Sequence, residues 1–85
     1  MNKMVATLVA VLLFFATSAL AAVNINTADS DELQQLNGIG KVKAEAIITD
    51  REDNGDFKSA DDLVRVNGIG EKTLDNIRSE ITVED

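Results

Sequence analysis

Asn37-Gly38-Ile39-Gly40 recurs thirty residues later as Asn67-Gly68-Ile69-Gly70, and the offset holds on both flanks. Before the glycines, Asp31, Glu32, Leu33 and Leu36 are answered by Asp61, Asp62, Leu63 and Val66; after them, Ala44, Glu45, Ile47 and Asp50 are answered by Leu74, Asp75, Ile77 and Glu80. Each copy reads apolar-x-x-apolar-x-Gly-Ile-Gly, then three residues, an apolar, two more and an Ile. A unit of this size cannot bury its apolar face alone, so the two copies are expected to pack on each other. Within a copy the apolar residues are spaced by three and four, as in Leu33 and Leu36 before the glycines and Ala44, Ile47 and Ile48 after them. That spacing is helical rather than alternating.

Working outward, the pattern predicts an all-α domain of four short helices, at 28–36, 41–53, 60–66 and 71–81. A Gly-Ile-Gly turn joins each helix pair, and residues 54–59 form the linker. Thr27 is the expected N-cap of the first helix, with Asp29, Asp31 and Glu32 near its positive dipole end. Ser59 and Asp62 have the spacing of a capping box for the third. Asn54-Gly55 is the stop signal of the second.

The chain has 85 residues, enough for one domain, and lacks Cys, His, Pro, Trp and Tyr. Without Cys or His there is no thiolate or imidazole zinc site, no haem attachment and no Ser-His or Cys-His nucleophile pair. No catalytic group, metal ligand set or cofactor is expected. Phe57 is the one aromatic residue beyond Phe14 and Phe15, too few for a base-stacking platform. Residues 1–21 read as a secretory signal peptide: Lys3 as the positive region, the apolar run from Val5 to Phe15, and Ala19-Leu20-Ala21 as the A-x-A site, with cleavage after Ala21. The alternative is an uncleaved inner-membrane anchor, because Met4 to Val23 is close to the length of about 20 residues that spans a bilayer. No Cys follows the apolar run, which excludes a lipoprotein anchor. The expected destination is the periplasm, with residues 22–85 as the folded domain, its first unit at about 28–53 and its second at about 60–81.

Two glycines around an apolar residue at the start of a helix have a specific use. Glycine permits positive φ and removes the side chain that would hold a ligand off the backbone. The Ile points inward, and the helix that follows begins with unpaired N–H groups, a ready anion site. A single G-x-G is explained by helix capping and tight packing; two copies with matching flanks ask for more.

These residues carry a family resemblance. Each copy resembles a helix-hairpin-helix motif, apolar-x-x-apolar-x-Gly-apolar-Gly-x-x-x-Ala. Val23-Asn24-Ile25-Asn26-Thr27-Ala28 upstream, and Arg51, Asn54-Gly55, Phe57, Ser59 and Asp62-Leu63 between the copies, resemble the ComEA-type competence domain. The resemblance implies two helix-hairpin-helix motifs in a pseudo-two-fold tandem, binding double-stranded DNA without sequence preference. It also implies a periplasmic place in DNA uptake during transformation, alongside components of an uptake machine. By that resemblance the backbone amides of Gly38, Ile39, Gly40, Gly68, Ile69 and Gly70 face phosphates across a minor groove, and Lys41, Lys43 and Lys72 add charge. Asn37 and Asn67 stand at the hairpin edges, Asn37 where the family often has Pro. Leu74 stands where copy one has the small Ala44, so the second hairpin is expected to pack differently.

Charge sets the competing reading. With Lys3 set aside, seven basic residues face fifteen acidic ones, a net charge of −8. DNA affinity of this kind comes from phosphate neutralisation by Lys and Arg. Residues 37–43 carry Lys41 and Lys43 and no acid, whereas 67–73 carry Glu71 against Lys72. The alternative is a protein-interaction module of the cell envelope with a solvated acidic face. Two further readings rank lower. Asp50-x-Glu52-x-Asn54-Gly55 echoes a calcium loop, but Lys58 holds its ninth position. Asp61 and Asp62 are adjacent and cannot share a helix face as nuclease carboxylates. Arg51 and Arg65 are expected in surface ion pairs rather than on DNA, and Phe57 as core filler between the copies.

Overall fold

The positions related by the thirty-residue offset meet in one core. Leu33, Leu36, Ile39, Ala44 and Ile47 of the first copy are buried with Leu63, Val66, Ile69, Leu74 and Ile77 of the second, and Ile25, Ala28, Phe57 and Ile81 complete the cluster. The structure, a computed structural model, describes residues 22–84. The expected signal peptide, with Lys3 and its cleavage site, lies outside the described residues. In chain order come strand β1 (Val23–Asn24), helix α1 (Ser30–Leu33), helix α2 (Lys41–Asn54), a 3-10 helix (Ala60–Arg65), helix α3 (Glu71–Ile77), a second 3-10 turn (Arg78–Glu80) and strand β2 (Ile81–Thr82). Helix α1 packs on α2, and the first 3-10 helix packs on α3. Among the described residues no helix is long and apolar enough to cross a membrane.

The expected all-α class is the observed one, with a two-residue strand pair added. β1 and β2 run parallel, Val23 opposite Ile81 and Asn24 opposite Thr82. The Ile25 N–H extends the pairing to the Thr82 carbonyl at 3.0 Å. The helix expected over 71–81 therefore ends early. Ile77 and Ile81 have helical spacing, but Ile81-Thr82-Val83 is a β-branched run that favours extended backbone when a partner strand is at hand.

Two expected caps are corrected. The first helix is capped by Asp29, whose carboxylate accepts the Glu32 N–H at 2.8 Å. Thr27 is instead drawn into a turn closed by the Ala28 N–H on the Asn24 carbonyl at 2.8 Å. At the third element Ser59 makes no side-chain cap bond, and the Asp62 carboxylate accepts from the Lys58 N–H at 2.8 Å. That element is a 3-10 helix, with its Val66 cap N–H bonding three residues back to Leu63. The Asn54-Gly55 stop holds: Gly55 has φ 88° and donates to the Arg51 carbonyl at 3.1 Å. Residues 50–54 are thus helical, which removes the calcium-loop geometry. Leu74 and Ala44 are both buried to within 1%, while α3 has half the residues of α2.

Asn26 ties three segments together. Its Nδ2 donates to the Phe57 carbonyl at 2.9 Å and the Val83 carbonyl at 3.1 Å, and its Oδ1 accepts the Phe57 N–H at 2.7 Å. Phe57, 2% exposed, sits between the copies as expected, with the Arg65 guanidinium 4.5 Å above its ring. Removing the Asn26 amide leaves several backbone groups without partners, each costing about 1–3 kcal/mol if still buried. Asn26→Ala is therefore expected to lower stability by about 2–3 kcal/mol. The check is a lower urea midpoint with an unchanged slope.

Candidate functional site

Each hairpin is built by one repeated lock. The Ile39 N–H donates to the Leu36 carbonyl at 3.1 Å, and the Ile69 N–H to the Val66 carbonyl at 3.0 Å. Both isoleucines are 3% exposed, and their neighbours are turned outward: Asn37, Gly38 and Gly40 in one hairpin, Asn67, Gly68 and Gly70 in the other, all exposed. The expectation that all three amides of each Gly-Ile-Gly face a ligand is thereby corrected. The Ile amides are spent inside the turn. Among the described residues no acceptor faces the N–H groups of Gly38, Gly40, Gly68 or Gly70.

The glycines divide into two kinds. Gly38 and Gly68 have φ of 80° and 94°, a region that side chains resist, so the turn itself requires them. Gly40 and Gly70 have φ of −91° and −97° with ψ near 180°, an extended conformation open to any residue. A Cβ on either would meet nothing within 4 Å. Each is also a helix N-cap, where Ser, Asp or Asn would serve the helix better. The fold therefore gives no reason for glycine at 40 and 70. What its presence does is bare the backbone where α2 and α3 begin.

Lys43 lies between the two hairpins. It is half-buried, its Nζ lies 3.4 Å from the Gly38 carbonyl, and its Cγ lies 4.0 Å from where a Cβ on Gly68 would stand. Lys41 is exposed in the first turn of α2, and Lys72 in the first turn of α3 beside Glu71. The arginines are committed elsewhere. Arg51 donates to the Ile25 carbonyl at 3.0 Å rather than forming the expected ion pair. Arg65 pairs with Asp50 at 2.6 Å and donates to the Gly55 carbonyl at 2.6 Å. Arg78 bridges Asp61 and Asp75, whose hydrogen bonds, that of Asp61 foremost, raise its pKa. Of the cations in the described residues, the lysines alone are left to meet a ligand, and only Lys58 of these stands away from a hairpin. Nothing in the sequence pattern signals that Lys43 reaches both loops, since that depends on how the copies pack.

The family model for the helix-hairpin-helix motif matches residues 18–82. The chain belongs to the helix-hairpin-helix family. It is 55% identical over 64 residues to ComE operon protein 1 of Bacillus subtilis, covering 75% of this chain and 31% of that protein. It is 51% identical over 59 residues to an uncharacterized protein of Haemophilus influenzae, covering 68% and 53% respectively. It is also 40% identical over 62 residues to human endonuclease/exonuclease/phosphatase family domain-containing protein 1, with only 11% of that protein covered. The helix-hairpin-helix chain thus spans about a third to a half of the two bacterial relatives.

The two kinds of glycine separate on substitution. Gly38→Ala should cost about 1–2 kcal/mol, the strain of a left-handed residue with a Cβ. Gly40→Ser should leave stability unchanged or raise it slightly, as a better N-cap. Thermal melts of the two variants beside the wild type check the contrast.

Proposed function

We propose that this protein binds double-stranded DNA without sequence preference, through the outward backbone of its twin hairpins and through Lys41, Lys43 and Lys72. The observation that carries the reading is the glycine at positions 40 and 70. The fold does not ask for it there, and a close approach of an extended ligand to the main chain does. The groups left facing outward, glycine N–H and lysine ammonium, suit a phosphate oxygen. Such contacts hold a sugar-phosphate backbone without reading base edges, so no preferred sequence is expected. Two loops with Lys43 between them suit the paired rails of a duplex. A single strand would want exposed aromatic rings, and Phe57 is buried. The family membership and the ComEA-type resemblance support the same reading, and with it a part in DNA uptake beside other components of that machinery.

Export to the periplasm belongs to this reading and rests on Lys3, the Val5–Phe15 run and Ala19-Leu20-Ala21. The role is binding rather than catalysis. Asp61 is held by Arg78 and Asp62 by the Lys58 N–H, so the adjacent carboxylates serve the fold.

The acidic body makes the grip weak and electrostatic, with a Kd of about micromolar or higher at physiological salt. Three phosphate-facing lysines give an expected slope of about −3 for log K against log salt. Mobility shifts of a duplex and a matched single strand over a salt series measure it, and an affinity indifferent to salt would exclude phosphate contact as its source. In the same assay Lys41→Glu with Lys43→Glu should abolish the duplex shift while helicity by circular dichroism stays the same. Gly40→Ser with Gly70→Ser should weaken the duplex complex about tenfold or more without loss of melting temperature, by holding the backbone off the phosphate.

A further inference from the structure

Helix α2 leaves a second surface uncovered, beside the hairpins. A shallow groove of about 430 Å³ runs along it, lined by Val42, Glu45, Ala46 and Asp53 of the helix and by Arg65 and Asn67. Val42, Glu45, Ala46 and Asp53 follow helical spacing, so they form one stripe on the side of α2 opposite the buried Ala44 and Ile47. Val42 is 82% exposed. Nothing in the folded domain is gained by an apolar residue there, since Lys or Glu would favour the helix at least as well.

The charge of the groove selects its occupant. Asp50 also lines it but is paired with Arg65. Among the described residues no cation pairs with Glu45 or Asp53. Apolar side chains on one stripe with two uncompensated carboxylates repel a nucleic acid and complement a positively charged, partly apolar chain.

We propose that this groove docks a basic amphipathic segment of a partner protein, an apolar side chain seated on Val42 and Ala46 and Lys or Arg side chains paired with Glu45 and Asp53. Its near end is Asn67, at the edge of the second hairpin, so the partner lies alongside the hairpin face rather than behind it. Cations brought by the partner would then stand close to a ligand of the hairpins, adding positive charge that this acidic domain lacks. The docking itself does not depend on the DNA reading.

The test is an amide-shift titration of the protein with a synthetic helical Leu/Lys peptide, beside a Ser/Lys peptide of equal charge and a Leu/Glu peptide. The expected result is binding of the Leu/Lys peptide alone, with shifts centred on residues 42–54, Arg65 and Asn67. Glu45→Gln with Asp53→Asn should weaken that binding about tenfold, and Val42→Ser severalfold. Circular dichroism should be unchanged, and duplex affinity in mobility shifts should be within about twofold of wild type or tighter. Equal binding of the Ser/Lys peptide, or shifts as strong at residues 29–32 and 80–84, would reduce the effect to diffuse charge attraction and overturn the proposal. So would loss of duplex and peptide binding together in the groove variants, or the same shifts arising from protein concentration alone, which would make the occupant a second copy. Peptide binding in a protein that ignores duplex would sink the DNA reading and leave the groove standing.

Discussion

The hydrogen bond from an isoleucine amide to the carbonyl three residues back, made once in each copy, is the constraint on which the outward face of the hairpins depends. It closes the turn, and burial of the side chain fixes which way the turn faces. With Ile39 and Ile69 anchored in the core, the residues on either side have only the outward direction left. One loop so held would be an ordinary helix connection. Two of them, brought together because neither copy can bury its own apolar face, make a surface.

Charge is distributed along the same division of labour. The planar guanidinium, with several donors in fixed geometry, suits the joining of carbonyls and carboxylates across segments, and Arg51, Arg65 and Arg78 are all used that way. Lysine, a compact charge on a flexible stem, stands at the hairpins as Lys41, Lys43 and Lys72. A strongly acidic domain can in this way present cations at one face, because its arginines are already engaged within the fold.

Much of this was legible in the sequence. The repeat gave the core almost residue by residue: Leu33 with Leu63, Leu36 with Val66 and Ile47 with Ile77 are all buried. Asn54-Gly55 marked the end of α2, and the Gly-Ile-Gly pairs marked the hairpins. What escaped was tertiary in origin. The strand pair needs residues at opposite ends of the domain to meet, and no local pattern announces that Ile81 has Val23 as a neighbour. Thr27 and Asp29 are both good caps by type, and the choice between them fell to the turn that the Asn24 carbonyl closes. The difference between Gly38, which the turn requires, and Gly40, which it does not, is a matter of dihedral angle and is invisible in the letters.

The short parallel strands carry a mechanical consequence. Because β1 and β2 point the same way, tension drawn from the residues before Val23 to those after Val83 pulls along both strands in opposite senses. The Ile25–Thr82 contact and the Asn26 bridge to Val83 then bear the load together, in shear, instead of opening one after another like a zip. Such a pull is taken up where the two ends of the domain meet, before it reaches either hairpin.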